Sequence, residues 1–300
     1  MSDFVSPAWS VYVGALTIVA LLACLVLLFV AARRRVSGAV DDNTTGHVWD
    51  EDLRELNNPL PQWWMGLFVL TVLFSFGYLW LFPGLGSASG SLSWSSAGQY
   101  EKEKARVQAE IAPLYTRFAA MDEKQLAADA QAMGIGERLF LNNCAGCHGS
   151  DARGSKGFPN LTDTDWLWGG GFDDIRKTIA EGRNGVMPPM AAALGDAEGV
   201  RQVANYVLSL SGSAHDNVAA QLGRTKFATC AACHGAAGTG NTALGAPNLT
   251  DKVWLHGGGE AAIVATITGG RNNAMPAHAA RLTPEQMRVL AAYVWKQSNP

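Results

Sequence analysis

Cys144-Ala145-Gly146-Cys147-His148 returns as Cys230-Ala231-Ala232-Cys233-His234, and much of what surrounds it returns as well. Pro159-Asn160-Leu161-Thr162-Asp163 recurs as Pro247-Asn248-Leu249-Thr250-Asp251. Trp166-Leu167-Trp168-Gly169-Gly170-Gly171 recurs as Trp254-Leu255-His256-Gly257-Gly258-Gly259, and Arg183-Asn184-Gly185-Val186-Met187-Pro188 as Arg271-Asn272-Asn273-Ala274-Met275-Pro276. The last three pairs lie 88 positions apart and the cysteine motifs 86, so two residues were gained in the second loop. Self-similarity at a fixed period decides the architecture: two tandem copies of one small helical unit, over residues 134–213 and 214–300. Each copy opens with a helix ending near its first cysteine, where Phe140 and Phe227 stand one helical turn after Gly136 and Gly223. Each closes with another, Val200 to Leu210 and Pro284 to Lys296, the latter announced by Thr283-Pro284-Glu285.

Two thiols at this spacing, followed at once by a histidine, read as an attachment site for c-type haem. The thiols form thioethers to one porphyrin, and the histidine presents its imidazole to the iron. A redox Cys-x-x-Cys pair or half of a zinc site needs no histidine there. Four of the five cysteines are so used; Cys24 reads as a small apolar side chain. The expectation is two covalently bound haem c groups, with Cys144, Cys147, Cys230 and Cys233 as the attached thiols and His148 and His234 as axial ligands.

Whether a sixth ligand is present separates electron transfer from ligand chemistry. Each copy offers a methionine before a proline: Met187 lies 39 positions after His148 and Met275 lies 41 after His234. Each loop is expected to wrap over its own ring. Met190 and His278 compete for the same role, but they are different residue types at one aligned position. Met65, Met121, Met133 and Met287 read as packing residues. The carbonyls of Pro159 and Pro247 are expected to accept the Nδ1 proton of the histidines. Arg183 and Arg271 are candidates for pairing a haem propionate, and Trp166 and Trp254 for packing on the porphyrin or filling the core. A domain of this size has a modest core, so each half is expected to lean on its cofactor for stability.

The amino-terminal third is of another kind. No charge occurs between Asp3 and Arg33, and Val11 to Ala32 is almost wholly apolar, enough for one membrane-spanning helix. A second uncharged stretch runs from Trp63 to about Phe82, with Trp63, Trp64, Tyr78 and Trp80 where an aromatic belt would put them. A cleaved signal peptide would carry its charge before a shorter apolar run, whereas Arg33-Arg34-Arg35 come after. By the positive-inside bias those arginines are cytoplasmic, so the amino terminus and everything beyond about Pro83 lie across the membrane, where haem c is attached. The expected order is a first transmembrane helix over 1–35, a cytoplasmic loop over 36–62, a second transmembrane helix over 63–83, and a linker over 84–133. That linker comprises a flexible Gly/Ser stretch from Gly84 to Ser91 and a solvated helical spacer over 97–133. The fold class is all-α. A formal charge of −3 and the lack of a basic stripe disfavour nucleic-acid binding.

Two membrane helices, tandem haem motifs and the intervening loop Thr45-Gly46-His47-Val48-Trp49-Asp50-Glu51-Asp52-Leu53-Arg54-Glu55-Leu56-Asn57-Asn58-Pro59-Leu60-Pro61-Gln62-Trp63-Trp64 resemble the CcoP/FixP family, the dihaem subunits of cbb3-type cytochrome c oxidases. The resemblance covers nearly the whole chain, and the loop is its specific part. It implies class I-like cytochrome c domains held at the bacterial inner membrane. It also implies a periplasmic cytochrome c donor, soluble or membrane-anchored, and onward transfer to the monohaem and catalytic subunits that reduce oxygen. Such a subunit is an electron carrier and not itself the oxygen-reducing site. The resemblance maps the haem-attaching thiols and the axial ligands onto the eight residues named above, without departure. The acidic turn Asp50-Glu51-Asp52 would lie near other subunits, or be a plain solvated turn. The competing readings are a dihaem anchor for another respiratory enzyme and, with one open iron, a dihaem peroxidase or haem sensor.

Overall fold

A computed structural model describes residues 6–33, 44–56 and 58–299. The chain divides into two compact units, Met1–Glu110 and Ile111–Pro300.

The first unit begins with helix α1, Pro7–Arg33, none of whose residues is buried. Helix α2, Gln62–Leu81, buries only Val72. Both are long and apolar enough to cross a bilayer, and their outward side chains are the reason: a helix apolar all round has no aqueous face. Arg34 and Arg35 lie outside the described residues, as do positions 36–43 of the expected loop. Between the helices, β1 (Thr44–Trp49) and β2 (Leu53–Leu56) form an antiparallel hairpin. The stretch after α2, expected to be flexible from its composition, is held in turns. The Ser91 N–H bonds the Trp80 carbonyl, and the Ser87 N–H reaches the Ser10 hydroxyl at 2.6 Å. Gly86 and Gly90, at φ of 62° and 67°, make those turns without Cβ strain.

Helix α3, Ser96–Ala119, contains the unit boundary. In the second unit its last turns are not solvated: Phe118 is 1% exposed, and Leu114 and Tyr115 pack on the same core. The spacer expected over 97–133 is therefore part of a folded body at its carboxyl end, because Leu114 and Phe118 stand at helical spacing on one face. There follow α4 (Glu123–Ala128), α5 (Ala130–Asn143), α6 (Ala145–His148), α7 (Phe172–Glu181) and β3 (Arg183–Met187). Beyond it come α8 (Ala191–Leu194), α9 (Ala197–Leu210), α10 (Asn217–Lys226), α11 (Ala231–His234), α12 (Glu260–Gly269), β4 (Arg271–Met275) and α13 (Pro284–Ser298). The protein is thus mostly helical with four short strands among the described residues, where no strand was expected.

Two cores form, and they cross the repeat boundary. In the first, Phe140 and Ala132 of α5 meet Ile175 and Ile179 of α7 together with Val289, Leu290 and Ala291 of α13. In the second, Val200, Val203, Ala204 and Val207 of α9 meet Phe227, at the end of α10, and Ile263 and Ile267 of α12. Each closing helix thus packs on the other copy's opening helix, not on its own. A Cβ on Gly136 would come within 2.6 Å of the Tyr293 Cβ, and one on Gly223 would collide with the Gln202 carbonyl. The aromatic pairs Phe140–Tyr293 and Phe227–Tyr206, with centroids 5.6 and 5.2 Å apart, are likewise equivalent and likewise crossed. What carries the chain over is the antiparallel ribbon of β3 and β4, paired from Arg183↔Met275 to Met187↔Arg271. The second body, from the end of β3 to the start of β4, is in effect inserted into the first.

Candidate haem-binding sites

Each cysteine motif caps a helix. The Cys144 N–H bonds the Phe140 carbonyl at the end of α5, and α6 turns His148 inward to 9% exposure. The second copy does the same through a 3₁₀ turn at Phe227–Thr229 and α11, leaving His234 8% exposed. Gly149 and Gly235 then reverse the chain at φ of 77° and 79°. The expected second contact is present twice: His148 Nδ1 lies 2.9 Å from the Pro159 carbonyl and His234 Nδ1 lies 3.0 Å from that of Pro247. A carbonyl only accepts, so Nδ1 carries the proton and the lone pair sits on Nε2, which has no protein partner among the described residues. Burial pushes the Cys144 thiol up to about 11 and raises Cys230 also. That is opposite to the lowered pKa of a redox Cys-x-x-Cys pair.

The methionines are delivered by the crossing ribbon. Met187 and Met190 pack on the second core, as do Cys230, Leu249 and Trp254. The Met190 N–H bonds the Ile267 carbonyl of α12 at 2.8 Å, and the equivalent His278 N–H bonds Ile179 of α7 at 3.0 Å. Each Met-Pro loop is therefore fixed to the other copy's helix. Each loop, expected to wrap over its own ring, leaves its own copy along β3 or β4 and is held by the other copy's helix. Gly182 and Gly270, at φ of 72° and 69°, stand where a Cβ would strike the Met275 and Met187 carbonyls respectively.

Arg183 and Arg271 are half-buried. Their Nε groups donate to Thr178 and Thr266 at 2.8 and 3.1 Å, and neither meets a carboxylate among the described residues. Arg183 also stacks on Trp168, 5.1 Å from the ring centroid. Trp166 packs on the first core and Trp254 on the second, closing Gly170 and Gly258 to any side chain. The sequence did not single out Thr178 and Thr266, although they too recur at the repeat spacing; His278, considered there as a competing ligand, has its Nδ1 buried without a partner among the described residues. A cavity of about 570 Å³ opens between Trp166 and Asp165 of the first copy and Asn241 and Pro247 of the second; none of His148, His234, Met187 and Met275 lines it. Beside it burial, then Asp251, then Asp163, push the Asp165 carboxyl up to about 6.

Paired thiols in one helical turn, a buried imidazole with a free Nε2, a thioether and a guanidinium short of an anion fit the attachment of haem c. Such a donor set on a small helical scaffold defines the class of c-type cytochromes. Known proteins narrow it. The family described as cytochrome c oxidase, cbb3-type, subunit III matches residues 131–207 and 218–294, and the N-terminal domain of cytochrome oxidase-cbb3, FixP, matches 41–89. The cbb3-type cytochrome c oxidase subunit CcoP of Rubrivivax gelatinosus is 60% identical over 299 residues, covering 100% of this chain and 98% of that protein. The subunit FixP of Azorhizobium caulinodans is 41% identical over 86% of this chain and 94% of its own length. The CcoP of Cereibacter sphaeroides is 38% identical over 84% and 93%. The chain belongs to the CcoP/FixP family of cbb3-type cytochrome c oxidase subunits.

Proposed function

We propose that this subunit carries two covalently attached haem c groups and relays electrons from a periplasmic cytochrome c to the monohaem and catalytic subunits of a cbb3-type oxidase. The observation that carries the reading is the pair of buried histidines that follow paired thiols and are held by proline carbonyls. When bound, each haem supplies a one-electron iron couple. The rest is done by the protein. Pro159 and Pro247 hold the histidine rings by Nδ1, which leaves Nε2 as the atom that would hold an iron. Met187 and Met275 would each supply a thioether to an iron, which would exclude an exogenous ligand and favour the ferrous state. Ligands held on both sides by packed elements move little between oxidation states. Arg183 and Arg271 have guanidinium nitrogens to spare for propionates.

The packing supports a crossed assignment, His148 with Met275 and His234 with Met187. Both methionines then sit on one ribbon. Two membrane spans with a cytoplasmic hairpin, and the amino terminus and haem bodies in the periplasm of the inner membrane, complete the proposal. The support is two exposed apolar helices and the basic residue at the end of α1.

Rapid mixing of the fully reduced oxidase with oxygen tests the relay. The haem c bands should be oxidised within turnover and re-reduced by added reduced cytochrome c. Haem c that stays reduced while oxygen is consumed would refute the reading.

A further inference from the structure

The hairpin of β1 and β2 leaves its apolar side chains uncovered. Trp49 and Leu53 are cross-strand partners and so share one face, 60% and 62% exposed; Val48 and Leu56 are 49% and 62% exposed. A two-stranded hairpin is marginal in water by itself and needs something to pack on. Two hydrogen bonds from Trp49 and Thr45 to the Glu55 carboxylate order the pair from within but cover neither face.

Its position and charge say what covers it. From Leu56 to the first residue of α2 is six positions, at most about 20 Å of extended chain, so the hairpin stays near the end of a span. Over 44–56 it carries Asp50, Glu51, Asp52 and Glu55 against Arg54, a formal −3. The cytoplasmic leaflet is itself anionic and repels such a segment. The cytoplasmic loops of membrane-spanning proteins, by contrast, are enriched in Lys and Arg. An exposed tryptophan beside an acidic rim is the composition of an interface anchor.

We infer that the Val48–Leu56 hairpin docks on the Lys/Arg-rich cytoplasmic surface of a neighbouring membrane-spanning subunit, with Trp49 and Leu53 as its apolar contact and Asp50–Asp52 as its ionic rim. This rests on the proposed topology.

The test uses the full chain in its oxidase complex in native membranes, with a photoreactive phenylalanine analogue in place of Trp49. Irradiation should attach it to a multi-spanning oxidase subunit. Asp50→Lys, Glu51→Lys and Asp52→Lys together should cut that yield several-fold, with haem content unchanged. An Asp52→Cys variant tests the topology separately: a membrane-impermeant maleimide should label it in inverted vesicles and not in spheroplasts. Labelling in spheroplasts would overturn the topology and this inference with it. Labelling in inverted vesicles only, with adducts on lipid alone or no adduct, would overturn the docking and leave the topology standing.

Discussion

Asp165 shows how a single carboxyl reports the join between the two copies. It faces Asp251 of the other copy and Asp163 of its own, and burial with their charge lifts its pKa to about 6. The ordinary value, about 3.9, holds in the unfolded chain. Below about pH 4 both states hold the proton and the group costs nothing. As pH rises towards 6 the native state must give up a proton it holds more tightly, and the cost grows, remaining constant above. Asp165→Asn should therefore stabilise the protein at pH 7.5, by on the order of 1 kcal/mol because the side chain is only half-buried. That gain should vanish at pH 4, as thermal unfolding at the two pH values would show. The histidine–proline contacts of the candidate haem sites were the most legible feature of the sequence. A Cys-x-x-Cys-His motif is local, and a proline eleven or thirteen positions on can reach the histidine by a short loop. Asp165 was not legible, since its partners lie 2 and 86 positions away and no pattern announces them.

At the scale of elements the repeat did not say which helices meet. Both opening helices carry glycine and phenylalanine at one spacing, and Tyr206 and Tyr293 stand at equivalent positions in the closing helices, so crossed and uncrossed pairings bury nearly the same faces. The choice is made by β3 and β4, five-residue strands with no apolar alternation, Arg-Asn-Gly-Val-Met and Arg-Asn-Asn-Ala-Met, that give no strand signal. The capping box of α13, with Thr283 on the Gln286 N–H, was by contrast visible as a helix start. Close approach at the crossings gives a discriminating experiment. Gly136→Ala forces a methyl against Tyr293 and Val289, both of α13. Overpacking of this kind costs roughly 1–3 kcal/mol. A double-mutant cycle with Tyr293→Gly, which removes the clashing Cβ, should recover part of that loss, whereas one with Tyr206→Gly, in α9, should be additive. Chemical denaturation of the parent chain, the three single variants and the two double variants would measure it.

For the whole molecule, crossing draws both candidate haem sites from both copies: α5, α7 and α13 pack beside the first cysteine motif, while α8, α9 and α12 pack beside the second. A chain of two independent domains could lose either without consequence for the other. Here the ribbon of β3 and β4 carries both methionines, so the sequence repeat describes ancestry of the parts and the packing describes the unit that folds. The most direct measurement removes one haem to read the other. In a Cys230→Ala/Cys233→Ala chain only the haem on Cys144 and Cys147 is attached. Carbon monoxide should bind that haem, once reduced, when Met275→Ala is added, and should not bind when Met187→Ala is added instead. Carbon monoxide binding with Met187→Ala and none with Met275→Ala would contradict the crossed assignment.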